Sequence, residues 1–530
     1  MLQKIIKNVN NFDDIKDRMS SLKVKEKGDL FEEFTKYLFM FHPYYENEFE
    51  NVWLYNEIPI NIKKLLKLPT KDEGIDLLLL SKDGKYYAVQ CKYRTNLNTV
   101  IKWGELGTFA GLSFGVANNI YKGFFVTNTL EITRNIKVSD KIIGIYGTFF
   151  DDIPNIVFDK IKHLLIKTNI VPELPLKPLI HQRNAVRETL NYFTNNNRGY
   201  LEMACGSGKT LTSMWILDYL KTKLSIIVVP SLYLLSQIYR EYIVQSTLNN
   251  RKKNFILVGS DCDVGDEEYH NGLLITTNPD EITEKIKFYS NNVILICTYQ
   301  SSDKVITSLN SLKIESDLCI FDEAHKTVGQ KGKQFNLLLD DKNLVIKKRL
   351  FMTATPKMYG GNDENEKIYS MDDEEWYGKK IFTYNTGDAI NDNRLCDYKI
   401  VTMISNDKYL EDFIKNNNYV GYEKDGKIAE TNSEYLSTAI MLLNAFKKGE
   451  CHHLITYHNN IANTKEFEEI FKSLLKVCNL NVEVLRIDGN DSMRYKRATI
   501  KSFVNSKSAI LISAKVLNEG VNIPIINLLN

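Results

Sequence analysis

Residues 203–210 read MACGSGKT. Gly206, Ser207 and Gly208 can wrap main-chain N–H groups round a polyphosphate, because glycine admits a close approach. Lys209 would reach the β- and γ-phosphates, and the Thr210 hydroxyl would bind Mg²⁺. The strict phosphate-loop pattern has Gly where this chain has Met203, so the match is to GxGKT alone. A second cluster, LCIFDEAH at 318–325, is an apolar strand ending on two acids. Asp322 suits the hydration shell of Mg²⁺. Glu323 suits the orientation and deprotonation of an attacking water, since phosphoryl transfer asks for positioning and charge neutralisation more than covalent chemistry. Two acids after a strand can also simply cap the next helix. The glycine-rich loop upstream, in a separate strand–helix unit, favours ATP hydrolysis.

A different chemistry is suggested nearer the N-terminus. Residues 72–76 read DEGID, followed by a leucine run, the turn SKDGK and then YYAVQCKY. This is a hairpin pattern. Gln90 and Lys92 are two apart and share a face. If the hairpin pivots near Asp83, Asp76 lies opposite Gln90, and a slip of one residue destroys the cluster. Asp76 and the Gln90 oxygen suit a hard divalent cation, with a backbone carbonyl assisting. Lys92 would polarise an attacking water and stabilise charge on a scissile phosphate. The alternative is an ordinary hairpin with a surface Asp and Lys. Upstream, KGDLFEEFTKYLF spaces Leu30, Phe31, Phe34 and Leu38 as the apolar face of a helix, from which Glu32 or Glu33 is aimed toward the metal.

The elements needed to hold these groups can be read from the rest of the chain. At 530 residues it is long enough for roughly three or four domains. Hydrophobic residues at 43% and charged ones at 25% exclude wholesale disorder. A net charge of +2 excludes a blanket polycation, so any nucleic-acid contact depends on local placement. No run approaches the ~18 apolar residues of a membrane helix, and the start turns polar too soon for a signal peptide. The eight cysteines contain no CxxC pair, so neither a disulfide frame nor a zinc knuckle is indicated. We expect an intracellular, cytoplasmic protein, or one of a viral replication compartment. Pro172, Pro175 and Pro178 mark a seam within 163–180, and a second seam lies near Arg394–Asp397. Between them LSIIVVPS, NNVILICTYQ, SDLCIFDEAH and KKRLFMTATP alternate with amphipathic stretches, the pattern of a parallel α/β sheet with its chemistry at the strands' carboxyl ends. HHLITYH, VEVLRIDG and SAILISAK begin another sheet.

With GSGKT and DEAH in place, residues 175–530 resemble the superfamily 2 helicases and translocases of the DEAH-box type. The resemblance rests on motifs in order. It implies that Gln182 of PLIHQRNAV reads adenine and that His325 with Thr353 and Thr355 of FMTATP couples hydrolysis to movement. It also implies that LISAKVLNEGVNIP, with Glu519 and Gly520, is a second-lobe motif. Ser231, Thr298, Thr456 and Ser513, at or beside strand ends, are expected to grip nucleic-acid phosphates without regard to sequence. Each could instead be a strand-end cap. Two departures stand out. The Gln-x-x-Gly-Arg-x-x-Arg motif, whose arginine is worth roughly 10³–10⁵ in rate, is not found, and Asn522 stands where relatives have Asp.

The combination GDLFE, DEGID and QCK over residues 20–165 resembles the Mrr-like restriction endonuclease domain of the PD-(D/E)xK fold. It implies catalytic positions at Glu32, Asp76, Gln90 and Lys92. Together the halves resemble the front part of the Type ISP restriction enzymes. The expected fold is α/β: a nuclease domain over 1–165, a proline-rich linker over 166–180, a first RecA-like lobe over 181–395 and a second, incomplete RecA-like lobe over 396–530. ATP and Mg²⁺ are the expected cofactors and double-stranded DNA the expected partner, with a methyltransferase or target-recognition partner C-terminal to the motor. An alternative is a helicase, acting on DNA or RNA, whose N-terminal domain binds nucleic acid without cutting it.

Overall fold

A computed structural model describes all residues of the chain except 72, 131, 133–138, 170–173, 252, 260–270, 331, 360–367, 399–413, 416–421, 425–426, 430–432, 492, 515–527 and 530. The chain forms two compact units, one of Met1–Cys262 with Asp266–Cys396, the other chiefly Asp397–Asn530.

The first unit holds two sheets. The smaller has five strands in the order β1 (Phe49–Leu54), β2 (Leu77–Ser81), β3 (Tyr86–Lys92), β4 (Ile120–Thr127), β5 (Ile142–Ile145). β1, β2 and β3 pair antiparallel, whereas β3–β4 and β4–β5 are parallel. The Val24–Phe41 helix crosses this sheet with Leu30, Phe31, Phe34 and Leu38 buried, as their spacing predicts. Glu26 caps its start by accepting from the Lys23 N–H at 2.9 Å.

The larger sheet contains β6 (Arg198–Met203), β7 (Leu224–Val229), β8 (Asn254–Val258), β9 (Ile275–Thr276), β10 (Val293–Thr298), β11 (Leu318–Phe321), β13 (Arg349–Thr353) and β15 (Lys379–Tyr384). Its order is β15-β6-β13-β11-β7-β10-β8-β9, parallel throughout. A two-residue ladder of β12 (Gly329–Gln330) with β14 (Ile368–Tyr369) stands apart. Both faces of the large sheet are covered, which is why its strands are apolar without alternation. Ile294 and Ile296 enter one core cluster, and Val293, Leu295 and Cys297 the other.

The sheets share a core. One cluster runs from Phe31, Phe34 and Phe124 of the N-terminal half to Ile227, Ile296 and Leu350 of the larger sheet. Polar ties reinforce it. Lys285 and the Tyr289 hydroxyl both donate to Glu48, at 3.0 and 2.9 Å, and Tyr44 stacks on Tyr239 with centroids 5.0 Å apart. The two sheets are therefore packed together although prolines separate them in the sequence.

The second unit is built on a four-stranded parallel sheet, β19 (Glu483–Ile487), β20 (Ala509–Ala514), β18 (His453–His458), β21 (Leu528–Leu529), with a hairpin of β16 (Tyr422–Lys424) and β17 (Lys427–Ala429). Three of its strands are the runs HHLITYH, VEVLRIDG and SAILISAK. DYKIVTMI falls mostly outside the described residues.

Candidate active sites

The first site lies at the carboxyl ends of β6 and β11. After Met203 the chain turns through Ala204–Gly208 into the Lys209–Leu220 helix, with Gly206 and Gly208 at φ 76° and 82°. These left-handed conformations favour glycine. The Ser207 hydroxyl turns back to the Ala204 carbonyl at 2.7 Å, leaving the loop's N–H groups at the head of the helix. Gln182 braces the loop. Its Nε2 donates to the Ser207 and Gly208 carbonyls, both at 3.3 Å, and its Oε1 accepts from the Leu179 N–H at 2.8 Å. A Cβ on Gly208 would fall 2.3 Å from Gln182 Nε2. Beside it, His181 Nε2 donates to the Ser207 carbonyl at 2.9 Å.

Lys209 links the two motifs. Its ammonium lies 3.4 Å from the Met203 carbonyl and 3.8 Å from Glu323 Oε1. β11 delivers Asp322 and Glu323, and the Asp322 N–H donates to the Val228 carbonyl at 2.9 Å. Glu323 sits at φ 47°, a left-handed conformation uncommon outside glycine and associated with functional sites. Beyond it, His325 Nδ1 lies 3.5 Å from Glu323 Oε2 and 3.0 Å from the Thr353 hydroxyl, which accepts from the Thr355 N–H at 3.2 Å. The loop lysine, the acid, the histidine and the TAT strand thus form one connected chain of polar contacts. Thr210 opens the helix next to Lys209 and, with Asp322, offers the hydroxyl and carboxylate oxygens that a hard cation takes.

The second site lies where β2 begins and β3 ends, in the middle of the five-stranded sheet. Leu77 pairs with Val89 and Leu80 with Tyr86, and one step further the Asp76 N–H donates to the Val89 carbonyl at 2.8 Å, which brings Asp76 beside the Gln90–Cys91 end of β3. The Asp76 carboxylate accepts from the Cys91 N–H at 2.6 Å. Gln90 is 3% exposed, and its Oε1 has no hydrogen-bond partner among the described residues. A buried amide oxygen left open is costly, and it is the donor a hard cation would satisfy. Burial pushes the Cys91 thiol well up. The charges of Asp76 and Glu32 push the same way, and Lys92 pulls it down. All three charges therefore act on one point, the inner edge of β3. Glu33 is turned away and pairs with the N-terminal amine at 3.0 Å. Among the described residues no three His, Cys, Asp or Glu side chains gather as a metal cluster, so the amide oxygen of Gln90 is needed for the donor set.

The four hydroxyls expected to grip phosphate are placed otherwise. Thr298, Thr456 and Ser513 are buried at 2%, 1% and 0% exposure, and Thr456 meets His458 Nε2 at 3.1 Å. The Ser231 hydroxyl caps the Leu232–Leu248 helix, accepting from the Leu234 N–H at 3.3 Å. Strand-end hydroxyls here face inward or cap, because side-chain direction follows the pleat and the next turn rather than residue type. Glu519, Gly520 and Asn522 lie outside the described residues. Reasoning from the sequence missed His181 and Tyr384, whose rings stack 4.0 Å apart at 3°. The only local signal was the histidine next to Gln182.

Comparison with known proteins assigns these segments. Residues 175–358 match the family described as type III restriction enzyme, res subunit, and residues 40–161 one described as restriction endonuclease (Mrr-like). Residues 434–529 match the helicase conserved C-terminal domain. These matched segments, in this order, are similar to those of a superfamily 2 helicase preceded by an Mrr-like nuclease domain. The nuclease match includes Asp76, Gln90 and Lys92 and begins after Glu32. The fold agrees with that of an ATP-dependent Type ISP restriction-modification enzyme, LlaBIII, bound to DNA. The TM-score is 0.74 at 22% identity, over 98% of this chain and 35% of that one. Among curated proteins, the "Probable helicase A859L" of African swine fever virus (isolate Tick/Malawi/Lil 20-1/1983) is 26% identical over 433 residues, 78% of this chain and 45% of the relative. That of isolate Pig/Kenya/KEN-50/1950 is 28% identical over 354 residues, 66% of this chain and 36% of the relative. The chain thus spans less than half the length of these relatives. Among the described residues no helix is long and apolar enough to cross a membrane.

Proposed function

We propose that this helicase–nuclease hydrolyses ATP to move along DNA and cuts DNA with a divalent cation, in the manner of a restriction enzyme. The observation that carries the motor is the unbroken contact path from Lys209 through Glu323 and His325 to Thr353. Loop N–H groups and Lys209 hold the phosphates, Glu323 takes a proton from the attacking water, and the change in charge at Glu323 is felt at once by His325 and the TAT strand. Gln182 acts by bracing the loop on the base side. Thr210 and Asp322 would hold Mg²⁺, which when bound neutralises the charge that develops on the phosphates.

At the second site Asp76 and Gln90 would hold Mg²⁺, Glu32 supports it from the helix, and Lys92 orients the water and offsets charge on the scissile phosphate. The open Gln90 oxygen supports this reading over a plain hairpin. We assign the nuclease to residues 1–165, the first motor lobe to 181–395 and the second to 396–530, joined by 166–180. Double-stranded DNA is the proposed substrate.

The test is cleavage of a supercoiled plasmid with Mg²⁺, with and without ATP, by the wild-type chain and Lys92→Ala. Cutting that needs ATP and disappears in Lys92→Ala is expected. Intact nucleic-acid-stimulated ATP hydrolysis with no cutting would sink the nuclease half and leave a helicase whose N-terminal domain only binds.

A further inference from the structure

The phosphate-cradling loop is held from a second side, by the last strand of the large sheet and the chain that follows it. The Ala204 N–H donates to the Tyr384 carbonyl at 2.8 Å, and the Tyr384 ring lies flat on His181. After the Thr386–Asn391 helix the backbone hooks back, with the N–H groups of Arg394 and Leu395 both donating to the Ala389 carbonyl at 2.8 and 3.1 Å. The hook sets Leu395 against the loop, where a Cβ on Gly206 would stand 3.1 Å from Leu395 Cδ2.

Arg394 is the residue just before this contact. Its side chain is exposed and makes no ion pair or side-chain hydrogen bond among the described residues. The nearby acids are already engaged. The Asp392 carboxylate accepts from the Tyr384 hydroxyl at 2.9 Å, and that of Asp388 accepts from the Asn385 N–H at 2.9 Å. Burial and Asp392 push the Tyr384 hydroxyl up to about 12 while Arg394 pulls it down, so the guanidinium lies within electrostatic reach of the ring stacked beside the loop. The backbone hook thus sets an exposed cation next in the chain to Leu395, the residue that touches the loop.

We propose that Arg394 is a nucleotide-binding residue whose guanidinium contacts the polyphosphate of ATP at this loop. The proposal rests on reading residues 204–210 as the ATP site, and it adds a cation supplied by the first lobe itself. A guanidinium suits the task because it stays charged and presents paired donors to phosphate oxygens.

The experiment titrates a fluorescent ATP analogue with Mg²⁺ into the wild-type chain, Arg394→Ala, Arg394→Gln and Arg394→Lys, then displaces it with inorganic tripolyphosphate. We expect both neutral variants to lose roughly tenfold or more in affinity for the analogue and for tripolyphosphate alike, as befits a lost charge-assisted contact. Arg394→Lys should recover part of it. Wild-type affinity in both neutral variants overturns the proposal. So does a loss for the analogue with tripolyphosphate unchanged, which would put the guanidinium on the base. Failure of the wild-type chain to bind either probe would overturn the ATP-site reading instead, so the two failures are told apart.

Discussion

Lys209 stands between the Met203 carbonyl and Glu323, and its charge is the only one the loop itself brings to a phosphate. Lys209→Ala should therefore abolish ATP hydrolysis while leaving the melting temperature close to that of the wild type. Normal turnover in that variant would remove the loop from the ATP site. Asp76 has a different job. Its carboxylate is fixed by the Cys91 N–H, and Gln90, the residue before Cys91, carries the open oxygen. Asp76→Ala should lose metal-dependent cleavage and keep DNA-stimulated ATP hydrolysis. A parallel fall of both activities would contradict two separate chemistries. These residues were legible in the sequence because spacing alone fixes them. GxGKT makes a loop, and two residues in a strand share a face. The phosphate-gripping hydroxyls were not legible, because Thr298 and Ser513 look the same in sequence whether they face water or the core. The proposed role of Arg394 was also invisible, since its position depends on a hook that closes on Ala389.

At the scale of elements, the β2–β3 hairpin is the part that sequence patterning described most fully. Its pivot at Asp83 fixes the register, and the register fixes the site. Inserting one residue into the turn between Ser81 and Tyr86 should shift Asp76 away from Gln90. Cleavage should vanish with little change in far-UV circular dichroism, and retained cleavage would mean that the cluster is not the site. The short Pro43–Glu46 helix makes a second prediction. His42, which caps it, is fully enclosed, and burial with the nearby Arg240 charge holds its imidazole down at about 3 against an ordinary 6.5. The folded chain keeps His42 neutral where the unfolded chain protonates it. Stability should thus fall as pH drops from 6.5 toward 3, by up to about 1.4 kcal/mol per unit. His42→Gln should flatten that part of a melting-temperature profile measured from pH 7 to pH 5. An unchanged slope would assign the acid sensitivity to other groups. No sequence pattern marks this histidine, because its enclosure comes from Phe149 and Arg240, far along the chain.

At the scale of the molecule, the parallel sheets could be foreseen from apolar runs ending in polar residues. The fusion of the two sheets of the first unit could not. Prolines near residue 175 read as a break, whereas packing against the Leu232–Leu248 helix and the strands behind it depends on partners brought together only by folding. Phe34 tests the fusion. It is fully buried among Phe12 and Phe158 and belongs to the cluster that reaches Ile227 and Leu350. Phe34→Ala should cost about 3–5 kcal/mol. It should also lower the temperature at which ATP hydrolysis is lost, although the residue lies in the nuclease half. Two separate melting steps, with only the first moved, would show that the halves fold independently.

The shared core has one more consequence. A blade mounted on a flexible tether cuts anywhere within the tether's swing, and its cuts scatter. Here Glu48 is pinned by Lys285 and Tyr289, and Tyr44 lies against Tyr239, so the blade and the first gear of the engine are cast as one piece. If the engine is halted at a defined roadblock, its cuts should fall at one offset, like marks from a caliper, and the spread of cut positions would measure the stiffness of that casting.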